Sequence, residues 1–168
     1  RRVLDYSAGV VLGRPLGGLT GRDEPVAPRR LDGGVNLTLH PAFRVTDLDA
    51  SVPFYEALGY EELGRVDTGD ATLVMLKLPV EECVSLELVH RPDHGPVDVG
   101  TGFSHLAFQV DDLAAKLAEL SDPSEIQRPG GPDGPQTAWL TDPDGYRIEL
   151  VQWPPDHPAP GLTATDFE

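Results

Sequence analysis

From His40 to Val45 apolar and polar positions alternate with the two-residue period of a strand. After a short polar stretch, Ser51–Leu58 takes on helical spacing. Asp47 or Asp49 can cap that helix, Pro53 falls in its first turn where proline is tolerated, and Gly59 ends it. Three strand-like runs follow, Tyr60–Val66, Ala71–Leu78 and Val84–His90. The same rhythm then returns. A strand at Ser104–Val110 leads to a helix over Asp112–Leu120, with Leu113, Leu117 and Leu120 as its apolar stripe. Strands are expected near Glu125–Arg128, Gln136–Thr141 and Tyr146–Gln152, the last two joined by the tight turn Asp142-Pro143-Asp144-Gly145. The pattern predicts an α+β domain over 37–153, built of two βαβββ modules at 37–90 and 104–153 with a linker at 91–103. Residues 1–36, rich in Gly, Pro and Arg and without a clear period, read as an extended N-terminal arm suited to lie over a partner subunit. Residues 154–168 read as a proline-rich tail.

The two modules repeat each other in sequence as well as in rhythm. His40-Pro41-Ala42-Phe43-Arg44-Val45-Thr46-Asp47-Leu48 and His105-Leu106-Ala107-Phe108-Gln109-Val110-Asp111-Asp112-Leu113 agree at six of nine positions, 65 residues apart. A second pair of matching runs closes each module, Ser85-Leu86-Glu87-Leu88-Val89 and Arg147-Ile148-Glu149-Leu150-Val151. His40 precedes Glu87 by 47 residues and His105 precedes Glu149 by 44.

Each Glu stands between two apolar neighbours on its strand, so the alternation of a pleated strand turns the carboxylate to the opposite face. A two-fold arrangement of the modules would bring the imidazoles of His40 and His105 and the carboxylates of Glu87 and Glu149 onto one concave surface. Two nitrogen and two oxygen donors, completed by water, suit an octahedral divalent cation such as nickel, cobalt or manganese, with zinc as an alternative. A single Glu in an apolar strand is ordinarily a solvated side chain, and a single His at a strand start is ordinarily a satisfied core or surface group. The argument for a metal is that two His/Glu pairs stand in register across a duplication. His90, His94 and His157 have no partner at the repeat offset and are expected at the surface.

Composition narrows the reading further. The chain has 168 residues, 39% of them hydrophobic, which suits one globular domain with a modest core. Its net charge is −15, distributed unevenly. Residues 1–36 carry six basic and four acidic groups, and the remainder carries seven basic and twenty-four acidic groups, a net of −17. Such a body does not suit nucleic acid or an anionic membrane, and any anionic ligand must be captured by local groups. No run approaches the ~18–20 apolar residues of a membrane helix. The single cysteine, Cys83, excludes an intrachain disulfide and reads as a small buried hydrophobe. Cytoplasmic localisation is the expectation from this cysteine usage. Arg1 stands where a methionine would begin a chain, so a trimmed or processed start is expected.

These residues resemble the vicinal oxygen chelate (glyoxalase/bleomycin resistance/dioxygenase) superfamily, and within it bacterial glyoxalase I, over about residues 38–153. The most specific pieces are Leu39–Val45, Leu86–Leu88, Ser104–Phe108 and Asp142–Leu150. The resemblance implies the superfamily fold of paired βαβββ modules, with His40, Glu87, His105 and Glu149 holding one divalent metal. Histidine rather than glutamine at the first position is similar to the nickel- or cobalt-activated class. It implies glutathione or another low-molecular-weight thiol as co-substrate, with Arg44 matching an arginine that contacts the glutathione carboxylate. Arg91 stands where the family often has asparagine, and Arg128 substitutes for basic residues of the thiol-binding loop, which in this chain lacks lysine.

The activity so implied isomerises the hemithioacetal of a 2-oxoaldehyde and a thiol to the thioester of a 2-hydroxy acid, a route of methylglyoxal detoxification. Glu149 is assigned as principal base and Glu87 as its counterpart, an assignment that rests on the resemblance, because the sequence alone treats the two alike. Small members of the superfamily pair their modules across a two-fold axis, so a homodimer is expected. The alternatives are another metal-dependent member, an epimerase or a ring-cleaving dioxygenase, and a metal-free drug-binding resistance protein. A carboxylate at Glu87 argues against the first two, and four intact ligands argue against the third.

Overall fold

A computed structural model describes residues 37–157 and 161–162. The arm at 1–36 and most of the tail fall outside the described residues. The first module contains β1 (Ala42–Val45), α1 (Leu48–Leu58), β2 (Glu61–Asp67), β3 (Thr72–Lys77) and β4 (Leu86–His90). The second contains β5 (Leu106–Gln109), α2 (Leu113–Glu119), β6 (Gln136–Thr141) and β7 (Arg147–Gln152). Two mixed sheets result, ordered β1-β4-β3-β2 and β5-β7-β6, each with one parallel pair formed by its first and last strands. The fold is α+β, two modules of one βαβββ plan.

The second module departs from that plan at one place. The strand expected near Glu125–Arg128 is reduced to one bridge, Gln127 to Thr137. This segment would lie at a sheet edge, and Pro129, Gly130, Gly131, Pro132, Gly134 and Pro135 follow it, so the backbone cannot continue a ladder. Three other expectations need correction. Helix α1 begins at Leu48, a turn earlier than its spacing suggested, so Pro53 lies in the helix interior and removes one helical hydrogen bond. Cys83 is exposed in the loop before β4, not buried. His90 and His157 are half-buried, His90 with its Nδ1 3.3 Å from the Val45 carbonyl oxygen and His157 stacked on Trp153.

Both helix starts follow from aspartates. The Asp47 carboxylate accepts from the Asp49 N–H, and the Asp112 carboxylate from the Ala115 N–H. Gly59 ends α1 at φ 112°, which an L side chain rarely adopts, and its N–H together with that of Tyr60 closes onto the carbonyls of Glu56 and Tyr55. The buried face of α1 (Val52, Tyr55, Leu58) and the buried sides of both sheets form one continuous core, with Phe43, Leu76, Leu86 and Leu88 from the first module and Phe108, Leu113, Ile148 and Leu150 from the second. Aromatic contacts cross between the modules. Phe43 stacks on Tyr146 at 4.6 Å, and Tyr60 meets Phe108 at 5.6 Å.

A polar joint accompanies this apolar one. Asp142, 4% exposed, opens the turn between β6 and β7. Its carboxylate accepts from the Asp144 and Tyr146 N–H groups and from the Tyr55 hydroxyl at 2.9 Å, which reaches it from α1. Asp144 accepts from the Thr46 N–H at 3.0 Å just before the same helix. Burial pushes the Asp142 carboxyl above the usual range against the pull of these donors. Burial, the Asp142 charge and the shared hydrogen bond together push the Tyr55 phenol far upward.

Tyr55→Phe removes one donor from a buried acceptor and is expected to cost about 2 kcal/mol, lowering Tm by roughly 5 °C. Thermal and urea unfolding of parent and variant check this. The same phenols set an alkaline limit. Tyr60 is pushed up to about 12 by burial and the Glu81 charge, and Tyr55 is also raised, whereas an unfolded tyrosine ionises near 10. Groups with raised folded values contribute stability that is complete below the unfolded pKa and is lost as pH rises through the folded one. The urea midpoint is therefore expected to fall between pH 10 and 12, less steeply in Tyr55→Phe; an equal slope in the two proteins contradicts it.

Candidate metal centre

The core-facing alternation of β4 and β7 leaves Glu87 between buried Leu86 and Leu88, and Glu149 between buried Ile148 and Leu150. Both carboxylates therefore project from the face of their sheet that the core does not cover. The registers of the two modules are equivalent. Ala42 lies opposite Glu87 on the parallel side and Met75 on the antiparallel side; Ala107 and Trp139 occupy the same places around Glu149. Two residues before each alanine stands the histidine. The small alanine side chain leaves the imidazole room to cross onto the carboxylate, and the Glu87 N–H donates to the Pro41 carbonyl at 3.1 Å, holding the strand start in place.

His40 Nε2 lies 2.9 Å from Glu87 Oε2, and His105 Nε2 lies 3.4 Å from Glu149 Oε2. Each module thus assembles its own imidazole–carboxylate pair from its first and last strands. The pairs are partly open, at 15–34% side-chain exposure, so a cation can reach them. The four groups do not meet within one chain, and among the described residues no three His, Cys, Asp or Glu side chains are grouped to hold a metal. Ser104 Oγ lies 2.9 Å from His105 Nδ1, which fixes that ring with Nε2 toward Glu149.

Two of the three arginines that sequence reasoning selected for the thiol have other engagements. Arg44 is on the uncovered face of β1, but its Nη2 donates to the carbonyls of His94, Gly95 and Pro96 in the linker. Arg91 pairs with Asp70 at 2.7 Å. Arg128 is exposed in the segment after the Gln127 bridge. A residue that sequence reasoning passed over stands closer to a pair. Arg147, two positions before Glu149 on β7, lies over the Trp139 ring with its guanidinium carbon 4.1 Å from the centroid. The same ring meets His105 edge to face at 5.2 Å. The two-residue period of β7 was the available signal.

Residues 38–150 match the model of the Glyoxalase/Bleomycin resistance protein/Dioxygenase superfamily. The chain belongs to this superfamily. A probable lactoylglutathione lyase of Synechocystis is 37% identical over 122 residues, 68% of this chain and 93% of that protein. Among solved structures, the trypanothione-dependent glyoxalase I of Leishmania major superposes with a TM-score of 0.59 at 31% identity, covering 70% of this chain and 87% of its own. Glyoxalase I of Zea mays superposes at 0.60 and 30% identity, with this chain spanning 69% of its own length and 44% of the maize chain. No helix among the described residues is long and apolar enough to cross a membrane.

Proposed function

We propose that this chain is a lyase of the glyoxalase I type, which isomerises the hemithioacetal of a 2-oxoaldehyde and a low-molecular-weight thiol, such as glutathione, to a 2-hydroxyacyl thioester. The observation that carries the reading is the duplicated His–Glu pair in equivalent register, in a chain whose relatives include named lactoylglutathione lyases.

The donor set fits a divalent cation. Each pair offers one imidazole nitrogen and one carboxylate oxygen that already lie close together, but two ligands are fewer than such an ion takes. A full shell needs one His40/Glu87 half and one His105/Glu149 half. Because the halves are separate in one chain, the reading includes a two-fold homodimer in which each site takes one half from each copy. Nickel or cobalt is the preferred ion. When bound, it supplies Lewis acidity toward the oxygens of the substrate.

The chain's own residues then handle the proton. A carboxylate takes it from the carbon that bears sulfur and oxygen and delivers it to the adjacent carbonyl carbon. The hydroxyl on the first carbon gives its proton to the former carbonyl oxygen and becomes the thioester carbonyl, while that oxygen becomes the new hydroxyl, so no atom is gained or lost. We assign Glu149 this role, with Glu87 as its counterpart across the site. Ser104 steadies His105 beside Glu149, and Met75 stands across from Glu87 on β3.

Turnover of methylglyoxal with glutathione by nickel-reconstituted protein tests the activity directly. In that assay Glu149→Gln is expected to lose more than the ~10²–10⁴-fold typical of one general base, while bound metal falls only about ten- to a hundredfold in affinity. Glu87→Gln is expected to be milder; a Glu149→Gln protein that remains metal-loaded and nearly as active as the parent removes the assignment. The shared-site reading makes a separate prediction. His40→Ala and His105→Ala proteins, each inactive alone, should regain activity when mixed under conditions that exchange subunits, because a mixed dimer holds one site with all four ligands and one with two. No recovery, with exchange verified by mass, places all ligands of a site in one chain.

A further inference from the structure

We propose that Arg147, held over the face of Trp139 beside the His105–Glu149 pair, captures a carboxylate of the thiol moiety and makes the enzyme selective for acidic thiols. The proposal rests on the lyase reading above and deepens it.

A chain of net charge −15 repels anions at long range, so an acidic thiol adduct needs a cation close to the reacting atoms. Arg44 and Arg91 stand elsewhere, the first closed onto linker carbonyls and the second onto Asp70. Arg147 differs from both. Among the described residues its guanidinium has no carboxylate or carbonyl partner, and it stands over the face of the Trp139 ring.

A guanidinium held over an aromatic face by cation–π attraction keeps N–H donors free, and a guanidinium can grip a carboxylate with two parallel hydrogen bonds. The ring also removes the entropy cost of ordering a long exposed side chain, because the cation is already held in place. Two-residue alternation puts Arg147 on the same face of β7 as Glu149, and Trp139 touches His105 with its other contact. A ligand held at Arg147 therefore lies alongside the carboxylate assigned as base. Lysine at this position would keep the charge but lose the fork and much of the stacking.

The test uses nickel-reconstituted protein carrying Trp153→Phe, which leaves Trp139 as the sole tryptophan and hence a reporter. S-methylglutathione, a thioether that carries carboxylates but cannot form a hemithioacetal, is titrated against Trp139 fluorescence. Arg147→Gln on this background is expected to bind the probe about ten- to a hundredfold more weakly, with Arg147→Lys in between. In turnover, KM for the methylglyoxal–glutathione adduct should rise by a similar factor with little change in kcat. KM for the adduct with uncharged 2-mercaptoethanol should not follow. Unchanged probe binding and unchanged KM overturn the proposal, as does an equal loss for the acidic and neutral thiols. Should the parent turn over no methylglyoxal while probe binding still depends on Arg147, the anion site stands and the lyase reading falls.

Discussion

The buried carboxylate of Asp142 governs how the two halves of this chain sit together. It accepts three hydrogen bonds, two from its own turn and one from Tyr55 on the helix of the other module. Unpaired, a buried carboxylate of this kind would be costly, and with its donors in place it admits few other arrangements. Asp144 adds the Thr46 N–H, and the Phe43–Tyr146 stack closes the apolar side of the same joint. The turn lies directly before Arg147 and Glu149, so whatever fixes it also fixes the direction in which the second sheet presents its uncovered face. The joint thereby helps set how the two His–Glu pairs are placed relative to each other.

Around the equivalent pairs the walls have diverged. Met75 in one module answers to Trp139 in the other, and Arg44 to Gln109. The His–Glu pairs are thus repeated while the residues across from and beside them are not. A thioether stands across from one carboxylate, and an indole carrying a cation stands across from the other.

Much of this was legible in the sequence because it depends on period and register. His40, Glu87, His105 and Glu149 stand out from the repeat offset, and two-residue alternation alone puts both glutamates on the uncovered face. The first helix's ends, an aspartate cap at Asp47 or Asp49 and Gly59 after Leu58, follow from local chemistry in the same way. What the sequence hid depends on contacts remote along the chain. From the resemblance Arg44 was expected to contact a ligand, yet which carbonyls its guanidinium meets is decided by the path of residues 94–96. The strand near Glu125–Arg128 has suitable residues but a proline- and glycine-rich continuation and one edge to pair with, so only a bridge forms. Cys83 reads as core from its apolar neighbours, although the loop before β4 carries it into solvent. Arg147 looked like an ordinary strand residue until the Trp139 ring was placed beneath it.

The joint at Asp142 also bears on how the chain is made. Tyr55 and Thr46 find their acceptors 87 and 98 residues further along. During synthesis the first module leaves the ribosome well before them, able to pair its strands but with the Tyr55 hydroxyl and the Thr46 N–H facing water. The last hairpin therefore acts as a clasp, and the nascent chain passes through a stage in which its first half has a sheet and a helix but not its final internal packing. A chain cut short of residue 142 would remain at that stage, with the Phe43 and Tyr55 surfaces open to any apolar neighbour.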